Sequence, residues 1–538
     1  MKIAIAKINQ ETGKIKENTI TVLNGISFAE QKNCDLMIFP EFAICGGYCN
    51  DLFLNKDFIE ENVKATEEII KNCNIPVVCG TVTKNGSNGL SNSAFLFAGK
   101  SSTIVSAKNT LNDSFFNDEK YFHKYDIADV IKISDKNLMF VITDSAETIK
   151  EYIFSLFKET KVKPDIIFVL SCSPYYCGKI EEYKTLIKNI AVEKKTDICY
   201  VNMLGANDGY VFDGLCLYAN KNGNFKLIDQ SFEEKIIVFN TDVADYKEKL
   251  NDKNKELYDV LVLGLKDYMR KNNFKKCVLG ISGGIDSALT SALAVDAVGS
   301  ENVLGVLMPS EYTSKESVDC SIELCKNLGI QTKIIPVNNI YDNYIKELSP
   351  FFENKDKDLT EENLQARIRS NILMALSNKF GYFVLCTGNK SEDAVGYSTL
   401  YGDATGGYAP ISDLLKKEVY ELAKYRNTVS KVIPDFIINR APTAELRENQ
   451  KDSDSLPEYD VLDDILTKIL DKKMTYSQII RTGIKKDVLD KVWKLLKFSE
   501  YKRRQSPIGT KVTKSAFLRD IVFPLTNGYI WKKQNKKK

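Results

Sequence analysis

The stretch Ser282-Gly283-Gly284-Ile285-Asp286-Ser287 joins an apolar run, CVLGIS (277–282), to an apolar helical pattern, SALTSALAVDAVG (287–299). The glycines let the backbone come close to an anion, and the following helix offers unpaired amides and the positive end of its dipole. The serine hydroxyls can bind phosphate oxygens, and Asp286 can hold Mg²⁺ against them. The Lys-Ser/Thr ending of a Walker A loop is missing. The stretch therefore predicts a different phosphate-binding turn, with a turn that binds nothing as the alternative.

Strand and helix patterns continue to alternate after this turn. Runs typical of strands are NVLGVLMP (302–309), QTKIIPVN (331–338) and YFVLCTGN (382–389). The stretches VDCSIELCKNLG (318–329) and EENLQARIRSNILMALSNKFG (361–381) have helical patterns. Strands separated by helices of this length predict a doubly wound parallel sheet, which makes this half of the chain an α/β domain.

The first half of the chain also alternates short strand-like runs with helical patterns. The strand candidates are KIAIAKI (2–8), DLMIFPE (35–41), PVVCGTV (76–82), SAFLFAG (93–99) and DIIFVLS (165–171). A helix is predicted from Asn18 to Asn33. A charged stretch then separates the halves. We therefore predict two domains, 1–245 and 256–538, joined by a linker at 246–255.

Composition and charge exclude several classes of protein. Of the 538 residues, 43% are hydrophobic and 27% charged, which is typical of a globular protein and not of a disordered or membrane-spanning one. The net charge of +2 gives no indication of a nucleic-acid partner. The sequence has no membrane-length apolar segment and no signal-peptide pattern, and its 13 cysteines include no CxxC pair. We expect a cytoplasmic protein with reduced thiols. The single histidine, His123, excludes a site built on several histidines.

Four segments of the second half form the most distinctive pattern in the sequence. They are ENLQARIR (362–369), TGNKSEDAVGYSTLYGD (387–403), AELRENQKDSDSLP (444–457) and EYKRRQSPIGTKVT (500–513). These segments resemble NAD synthetases, within the N-type ATP pyrophosphatases, and the resemblance runs from about Glu256 to Tyr529. It implies ATP-dependent amidation of deamido-NAD through an NAD-adenylate, with release of AMP and pyrophosphate, as the last step of NAD biosynthesis. Another ATP pyrophosphatase, such as a thiolase-like tRNA enzyme, does not fit the TGNKSE and EYKRRQ motifs.

The resemblance also implies which residues bind the substrates. ATP is expected to contact the turn 282–287 and Thr387, and Mg²⁺ the acids Asp286 and Glu392. The positions that match deamido-NAD contacts are Asn363, Glu392 and Lys502. Further candidates for substrate or phosphate contacts are Arg367, Asp403 and Lys417, with surface ion pairs as the alternative. No catalytic nucleophile is needed, because positioning and electrostatics can carry adenylation and ammonia attack.

The first half carries a second resemblance, on KIAIAKINQETGKIKEN (2–18), FPEFAICGGYCNDLF (39–53), AKNTLNDSFFNDEKYF (107–122) and LSCSPYYCGK (170–179). These segments look like the nitrilase-like amidase domain of glutamine-dependent NAD synthetases, which implies an αββα sandwich. The resemblance places Glu41 as general base and Lys108 as the lysine that stabilises the oxyanion. It aligns Ser173 and Lys179 with glutamine contacts. The segment 107–122 is one residue short and lacks the family's arginine.

The nucleophile of such an amidase is a cysteine at the end of a strand, followed by Glu-Asp. In LMFVITDSAE (138–147) Thr143 stands at the cysteine position and Asp144-Ser145 replace Glu-Asp. Ser114 stands where the family has a glutamine-contacting tyrosine. Because a hydroxyl ionises far less readily than a thiol, we hypothesise that glutamine hydrolysis is lost or very weak. The alternative is that Cys172 serves as the nucleophile, although a buried cysteine is more often a small apolar residue.

Three interpretations of the whole chain follow. In the first, the synthetase uses free or externally supplied ammonia, and the amidase-like domain is a structural module. In the second, the enzyme is fully glutamine-dependent through an unorthodox nucleophile such as Cys172. In the third, the first domain serves oligomerisation, since nitrilase-like domains pair through their sandwich. The resemblance implies a homo-oligomer, with an octamer as one candidate assembly. Cys45, Cys49 and His123 are interpreted as structural.

Overall fold

The computed structural model describes residues 1–84, 89–99, 101–111, 116–125, 127–242, 252–448 and 450–531. The chain divides into two compact units, Met1–Asp252 and Lys253–Lys538. The helix that begins the second unit starts at Lys253, so the last three positions of the predicted linker 246–255 are helical. The buried face of this helix begins at Leu257, and the turn before it extends the helix into the polar stretch. Ser114 lies outside the described residues.

Strands dominate the first unit. The strands are β1 (Lys2–Lys7), β2 (Leu36–Ile38), β3 (Val77–Lys84), β4 (Leu90–Ala98), β5 (Ser101–Ala107), β6 (Val130–Ile133), β7 (Lys136–Ile142), β8 (Ile166–Ser171), β9 (Asp197–Asn202), β10 (Leu204–Asn207), β11 (Tyr210–Asp213), β12 (Cys216–Ala219), β13 (Phe225–Asp229) and β14 (Lys235–Asn240). The helices are α1 (Ile15–Gln31), α2 (Lys56–Lys71), α3 (Ala146–Glu159) and α4 (Lys179–Lys194). Two six-stranded sheets have the orders β14-β1-β2-β3-β4-β5 and β13-β12-β9-β8-β7-β6, and β10 pairs with β11.

The two sheets pack face to face between two layers of helices. Because successive side chains of a strand point to opposite faces of its sheet, one set packs against the other sheet and the alternate set packs against the helices. Ile3 and Ile5 of β1 pack with Phe140 of β7 in a core between the sheets. The opposite faces are covered by α1 and α2 on one sheet and by α3 and α4 on the other. The predicted αββα sandwich is confirmed.

The second unit is built on a four-stranded parallel sheet of order β17-β16-β15-β18. The strands are β15 (Cys277–Gly280), β16 (Val303–Leu307), β17 (Gln331–Ile334) and β18 (Phe383–Val384). The helices are α5 (Lys253–Lys271), α6 (Ile285–Val298), α7 (Lys315–Leu328), α8 (Asn338–Leu348), α9 (Leu359–Phe380), α10 (Lys390–Val395), α11 (Lys416–Val429), α12 (Asp435–Asn439), α13 (Tyr459–Leu466), α14 (Tyr476–Arg481), α15 (Lys486–Phe498) and α16 (Glu500–Arg503).

Helices cover both faces of this sheet. A Cβ atom added to Gly280 would face Leu373 of α9, and one added to Gly305 would face Cys325 of α7. The core on the α9 side includes Val278 and Leu304. The predicted doubly wound parallel sheet is confirmed, and it places the turn after β15 at the carboxyl edge, where such folds bind ligands. Within the described residues, no helix is both long and apolar enough to cross a membrane.

Candidate active sites

The predicted phosphate-binding turn runs from the end of β15 to the first turn of α6. Gly283 has φ of +81°, and a Cβ atom there would lie 2.8 Å from the carbonyl oxygen of Ser317, so a side chain would be both strained and crowded. The Ser282 hydroxyl accepts the Gly284 amide at 3.2 Å and lies 3.1 Å from the Ser287 hydroxyl. These bonds hold the turn open ahead of the amino terminus of α6, where backbone amides can bind an anion.

The two predicted metal-binding acids converge on one cationic group. Lys416 Nζ lies 2.6 Å from Asp286 Oδ2 and 2.9 Å from Glu392 Oε1. Burial raises the pKa of Glu392 to about 8, with attraction to Lys416 working against the rise and repulsion from Asp286 adding to it. Burial also disfavours the Lys416 ammonium, but the two carboxylates outweigh it and raise the lysine pKa. Because both acids reach one cation, they can also share a metal ion.

Lys416, and not its neighbour Lys417, which was a candidate for substrate or phosphate contact, lies between these acids. The side chain of Lys417 is exposed, and its backbone amide donates to Asp463 Oδ2 at 3.0 Å. Lys416 is 3% exposed and sits between the acids. Both residues lie at the start of α11. Successive side chains point in different directions around a helix axis, so the rotation of α11 about its axis determines which lysine points toward the edge of the sheet.

A cavity of about 290 Å³ opens between the phosphate turn, α9 and the segment after α12. The predicted residues that line it are Ser282, Gly283, Gly284, Ile285, Asp286, Thr387, Glu392 and Asp403. The predicted residue Ser287 instead lines a smaller adjoining cavity of about 90 Å³. Residues that the sequence analysis missed, Arg369, Arg440, Glu445 and Lys416, also line the larger cavity. A site that brings together amides, lysine, arginine and carboxylates can bind the phosphates of a nucleotide together with a metal ion.

The predicted deamido-NAD contacts gather around the turn 396–403. Asn363 accepts the Thr399 hydroxyl at 2.7 Å, and Arg367 donates to the Leu400 carbonyl at 3.2 Å. Lys502 donates to the carbonyl oxygens of Gly396 and Ser398 at 2.7 and 2.5 Å. Asp403 accepts the Thr399 amide at 2.5 Å. Asp403 also lines both cavities, so these residues adjoin the phosphate site through it.

The first unit holds a closed ionic cluster around Lys108. Its ammonium lies 2.7 Å from Asp118 Oδ2, 3.0 Å from Asp144 Oδ2 and 3.6 Å from Glu41 Oε1. All four side chains are at most 1% exposed. Attraction to the three carboxylates overcomes burial and raises the Lys108 pKa well above its usual value. Glu41 and Lys108 were predicted from the sequence, whereas Asp118, which lies in the same segment 107–122 as Lys108, was given no role.

Glu41 is held by two further groups. Asn92 donates to its Oε1 at 2.5 Å, and the backbone amide of Cys172 donates to its Oε2 at 2.6 Å. Burial raises the pKa of Glu41 to about 7, and repulsion from Asp144 and Asp118 adds to the rise, while Lys108 opposes it. A carboxyl group that titrates near neutral pH can act as an acid or a base, which is the kind of group that the predicted role of Glu41 requires.

Neither nucleophile candidate is activated in this pocket. The Thr143 hydroxyl is buried and lies 2.5 Å from the Thr148 hydroxyl, so it is bonded to another alcohol. The Cys172 sulfur lies 3.6 Å from the Met203 sulfur in an apolar cluster. Burial raises the pKa of Cys172 well above its usual value, and repulsion from Glu41 adds to the rise. The thiol therefore stays protonated at neutral pH.

The predicted glutamine contacts lie in a second buried network. Lys179 is paired with Asp213 at 3.0 Å and donates to the Ser173 carbonyl at 2.8 Å. Asn202 donates to Asp213 at 2.6 Å and accepts the Ser173 amide at 2.9 Å. These bonds hold the segment after β8 in place, and no exposed fraction of Ser173 or Lys179 remains.

Three residues were interpreted from the sequence as structural, namely Cys45, Cys49 and His123. Cys45 and Cys49 are buried in the core beside α1 and α2, and both thiols donate to the Gly47 carbonyl. His123 is exposed, and its ring lies against Gly89.

Two family sequence models match the chain, one in each unit. The carbon-nitrogen hydrolase family matches residues 2–248, and the NAD synthase family matches residues 257–506. Curated relatives match nearly the whole chain. A glutamine-dependent NAD(+) synthetase of Acinetobacter baylyi is 37% identical over 98% of each chain, and one of Synechocystis sp. is 38% identical over 96% of each chain.

Solved structures give the same result. The glutamine-dependent NAD+ synthetase of Acinetobacter baumannii, solved in complex with ADP, matches with a TM-score of 0.78 and 36% identity over 99% of each chain. A glutamine-dependent NAD(+) synthetase from Cytophaga hutchinsonii matches with a TM-score of 0.81 at 21% identity over 98% of each chain, a likeness of fold. The chain is therefore a ligase of the NAD(+) synthetase class and belongs to the glutamine-dependent NAD(+) synthetase family.

Proposed function

We propose that the second unit converts deamido-NAD to NAD with ATP and ammonia, and that the first unit does not release this ammonia from glutamine. In the first step, a carboxylate oxygen of deamido-NAD attacks the α-phosphorus of ATP and pyrophosphate leaves. In the second, the nitrogen of ammonia attacks the activated carboxyl carbon. AMP then leaves with the electron pair of the broken C–O bond, and the nitrogen releases one proton to solvent.

The phosphate turn and its cations support the first step. The turn 282–287 and Lys416 would hold the phosphates, and Asp286 and Glu392 would hold Mg²⁺, which typically takes one or two carboxylates together with substrate phosphates. When bound, the metal ion neutralises phosphate charge. Lys416 Nζ lies where the two acids meet, and its ammonium group would bind a phosphate oxygen of ATP there. Asn363, Arg367, Asp403 and Lys502 would position deamido-NAD beside the phosphates.

The main support for the proposed nitrogen source is that Thr143 stands where the amidase nucleophile, a cysteine, is expected. The amidase reaction needs a thiolate that attacks the carboxamide carbon of glutamine, and a buried alcohol bonded to Thr148 cannot supply one. Lys108, which should meet the oxyanion, is surrounded by three carboxylates instead. Ammonia would then reach the second unit from solution or from an external supplier.

A second candidate function is full glutamine dependence with Cys172 as nucleophile. The names of the full-length relatives support this candidate better than the first, since all of those compared are called glutamine-dependent. The backbone bond from Cys172 to Glu41 keeps a thiol next to a carboxyl group that can accept its proton. Against it stand the raised pKa of the thiol and its packing against Met203.

One experiment separates the two candidates. NAD formation from deamido-NAD, ATP and Mg²⁺ is measured with ammonium or glutamine as the sole nitrogen donor, for the wild type and for Cys172→Ala. Activity with ammonium alone supports the first candidate. Comparable activity with glutamine that Cys172→Ala abolishes, with ammonium activity intact, supports the second. A homo-oligomer stays a prediction, which sedimentation of the intact chain would test.

A further inference from the structure

The segment 440–446 follows α12 and forms one wall of the nucleotide cavity. Every residue from Arg440 to Leu446 lines that cavity. The segment has neither helix nor strand structure, so side-chain bonds must hold it in place. We call it the strap.

Glu445 attaches the strap to the start of α7. Its Oε1 accepts the Ser314 hydroxyl at 2.8 Å and the Ser317 hydroxyl at 3.1 Å, and it is paired with Arg440. Glu445 has φ of +48°, a left-handed conformation that a residue with a side chain adopts only when its surroundings enforce it. The contacts of the Glu445 carboxylate hold the residue in this conformation, because its Oε1 binds both the start of α7 and Arg440 of the strap.

The same bonds lead directly to the phosphate turn. Ser314 is the N-cap of α7 and accepts the Ser317 amide at 3.2 Å. The backbone of Ser317 lies against Gly283, where a Cβ atom would be only 2.8 Å from the Ser317 carbonyl oxygen. A movement of the strap that shifts Ser317 must therefore also change the space available to the turn.

The next residue of the strap is attached to the opposite side of the cavity. The Leu446 carbonyl accepts the side-chain amide of Gln365, on α9, at 2.9 Å. The Leu446 amide donates to Gln450 Oε1 at 2.8 Å. The strap thus spans the cavity from α7 to α9. Because the bond from Gln365 to the Leu446 carbonyl does not involve the Glu445 side chain, the two attachments can be tested separately.

We propose that Glu445 is a positioning residue for ATP, which fixes the strap and the Ser317–Gly283 contact so that the phosphate turn is formed before ATP binds. The proposal rests on the assignment of this cavity to ATP. Glu445 acts through Ser314, Ser317 and Arg440. Loss of its carboxylate should weaken ATP binding much more than deamido-NAD binding, because the deamido-NAD candidates Asn363 and Lys502 lie around the turn 396–403.

Three variants test this role in the full chain. Glu445→Ala removes all the bonds, and we expect KM for ATP to rise about 10- to 100-fold, as for loss of hydrogen bonds to a charged group. Glu445→Gln keeps an oxygen acceptor for the serines and loses the charge, so its rise should be several-fold smaller. KM for deamido-NAD and kcat with saturating ammonium should stay within about threefold in both. The control is Glu448→Ala, an exposed residue outside the cavity wall.

A second measurement does not depend on turnover. Trypsin can cut the strap at Arg440 and just beyond it at Arg447, and we expect faster cutting in Glu445→Ala, with ATP protecting the wild type more than the variant. Equal rises of both KM values, or an unchanged KM for ATP together with unchanged cutting, would overturn the role of Glu445. If ATP protects the wild type from trypsin but the enzyme forms no NAD, the result would contradict the proposed function and not the role of Glu445 in ATP binding. If Glu445→Ala does not fold, Glu445→Gln and Ser314→Ala decide.

Discussion

Lys416 Nζ lies 2.6 Å from Asp286 Oδ2, so a cation from the start of α11 occupies the acidic centre beside the phosphate turn. The same nitrogen lies 2.9 Å from Glu392 Oε1, so its positive charge offsets the repulsion between the two carboxylates. Under the proposed function, Asp286 and Glu392 would hold Mg²⁺, and Lys416 would exchange its contacts with these acids for a phosphate oxygen of ATP.

Replacement of Lys416 tests this exchange. Lys416→Met should lower kcat/KM for ATP by about 100-fold or more, because a preorganised cation at the phosphates is lost. Lys417→Met, at the exposed neighbour, should change it by less than about threefold. Both are measured as NAD formation with saturating ammonium. Equal losses in the two variants would mean that the helix start, and not the position between Asp286 and Glu392, is what matters.

The pair Lys416 and Lys417 also shows what sequence alone can predict. Local pattern predicted the helices α6, α7 and α9, the turn before α6 and all four strands of the second unit, because apolar periodicity depends on neighbours in the chain. It could not choose between adjacent lysines, since that choice depends on how α11 is rotated against the sheet. The run 331–338 was predicted as a strand, and only Gln331–Ile334 pairs, as an exposed edge strand.

Contacts between distant segments were the least predictable part. Lys108 and Glu41 came from the resemblance. Asp118 and Asp144 stand in segments that carry the same resemblance, but their contact with Lys108 was not predicted, because it depends on how the chain folds. Glu445 was missed for the same reason, because its partners Ser314 and Ser317 are more than a hundred residues away. Charge neutralisation in a buried site is a long-range property of the fold.

The cluster around Lys108 is expected to stabilise the first unit. Lys108→Met would leave three buried carboxylates without their cation, which typically costs about 3–5 kcal/mol. Asp118→Asn added to Lys108→Met should recover part of the loss, because one uncompensated charge is removed. Calorimetric melting of the full chain measures both. If the single variant melts like the wild type, the cluster has little effect on stability.

Gly283 offers a test of the phosphate turn through backbone geometry. Gly283→Ala places a Cβ atom 2.8 Å from the Ser317 carbonyl at a φ of +81°, so we expect a destabilisation of about 1–3 kcal/mol and a large loss of ATP affinity. Gly284→Ala is the matched control, since its φ of −92° suits any residue and its Cβ would lie 3.3 Å from the Ser282 hydroxyl. It should cost clearly less stability. The free energies of unfolding of the two variants, compared by denaturant titration, check this order.

The raised pKa of Glu41 predicts a pH dependence of stability. The pKa is about 7 in the folded chain, against an ordinary value of 4.5, so between these values the folded state holds a proton that the unfolded state has released. Stability from this group is complete below pH 4.5 and is lost as the pH rises to about 7. At about 1.4 kcal/mol per pH unit, the loss is at most about 3.5 kcal/mol.

Glu41→Gln should remove this dependence, because glutamine does not titrate. Asn92 can reverse its amide and accept the new NH₂ group, since its Oδ1 has no hydrogen-bond partner in the described structure. Relative to the variant, the wild type should lose thermal stability between pH 5 and pH 8, and the two curves should be parallel above that range. Wild-type and variant midpoints that move together from pH 5 to pH 8 would show that Glu41 is ionised throughout, held in that form by Lys108.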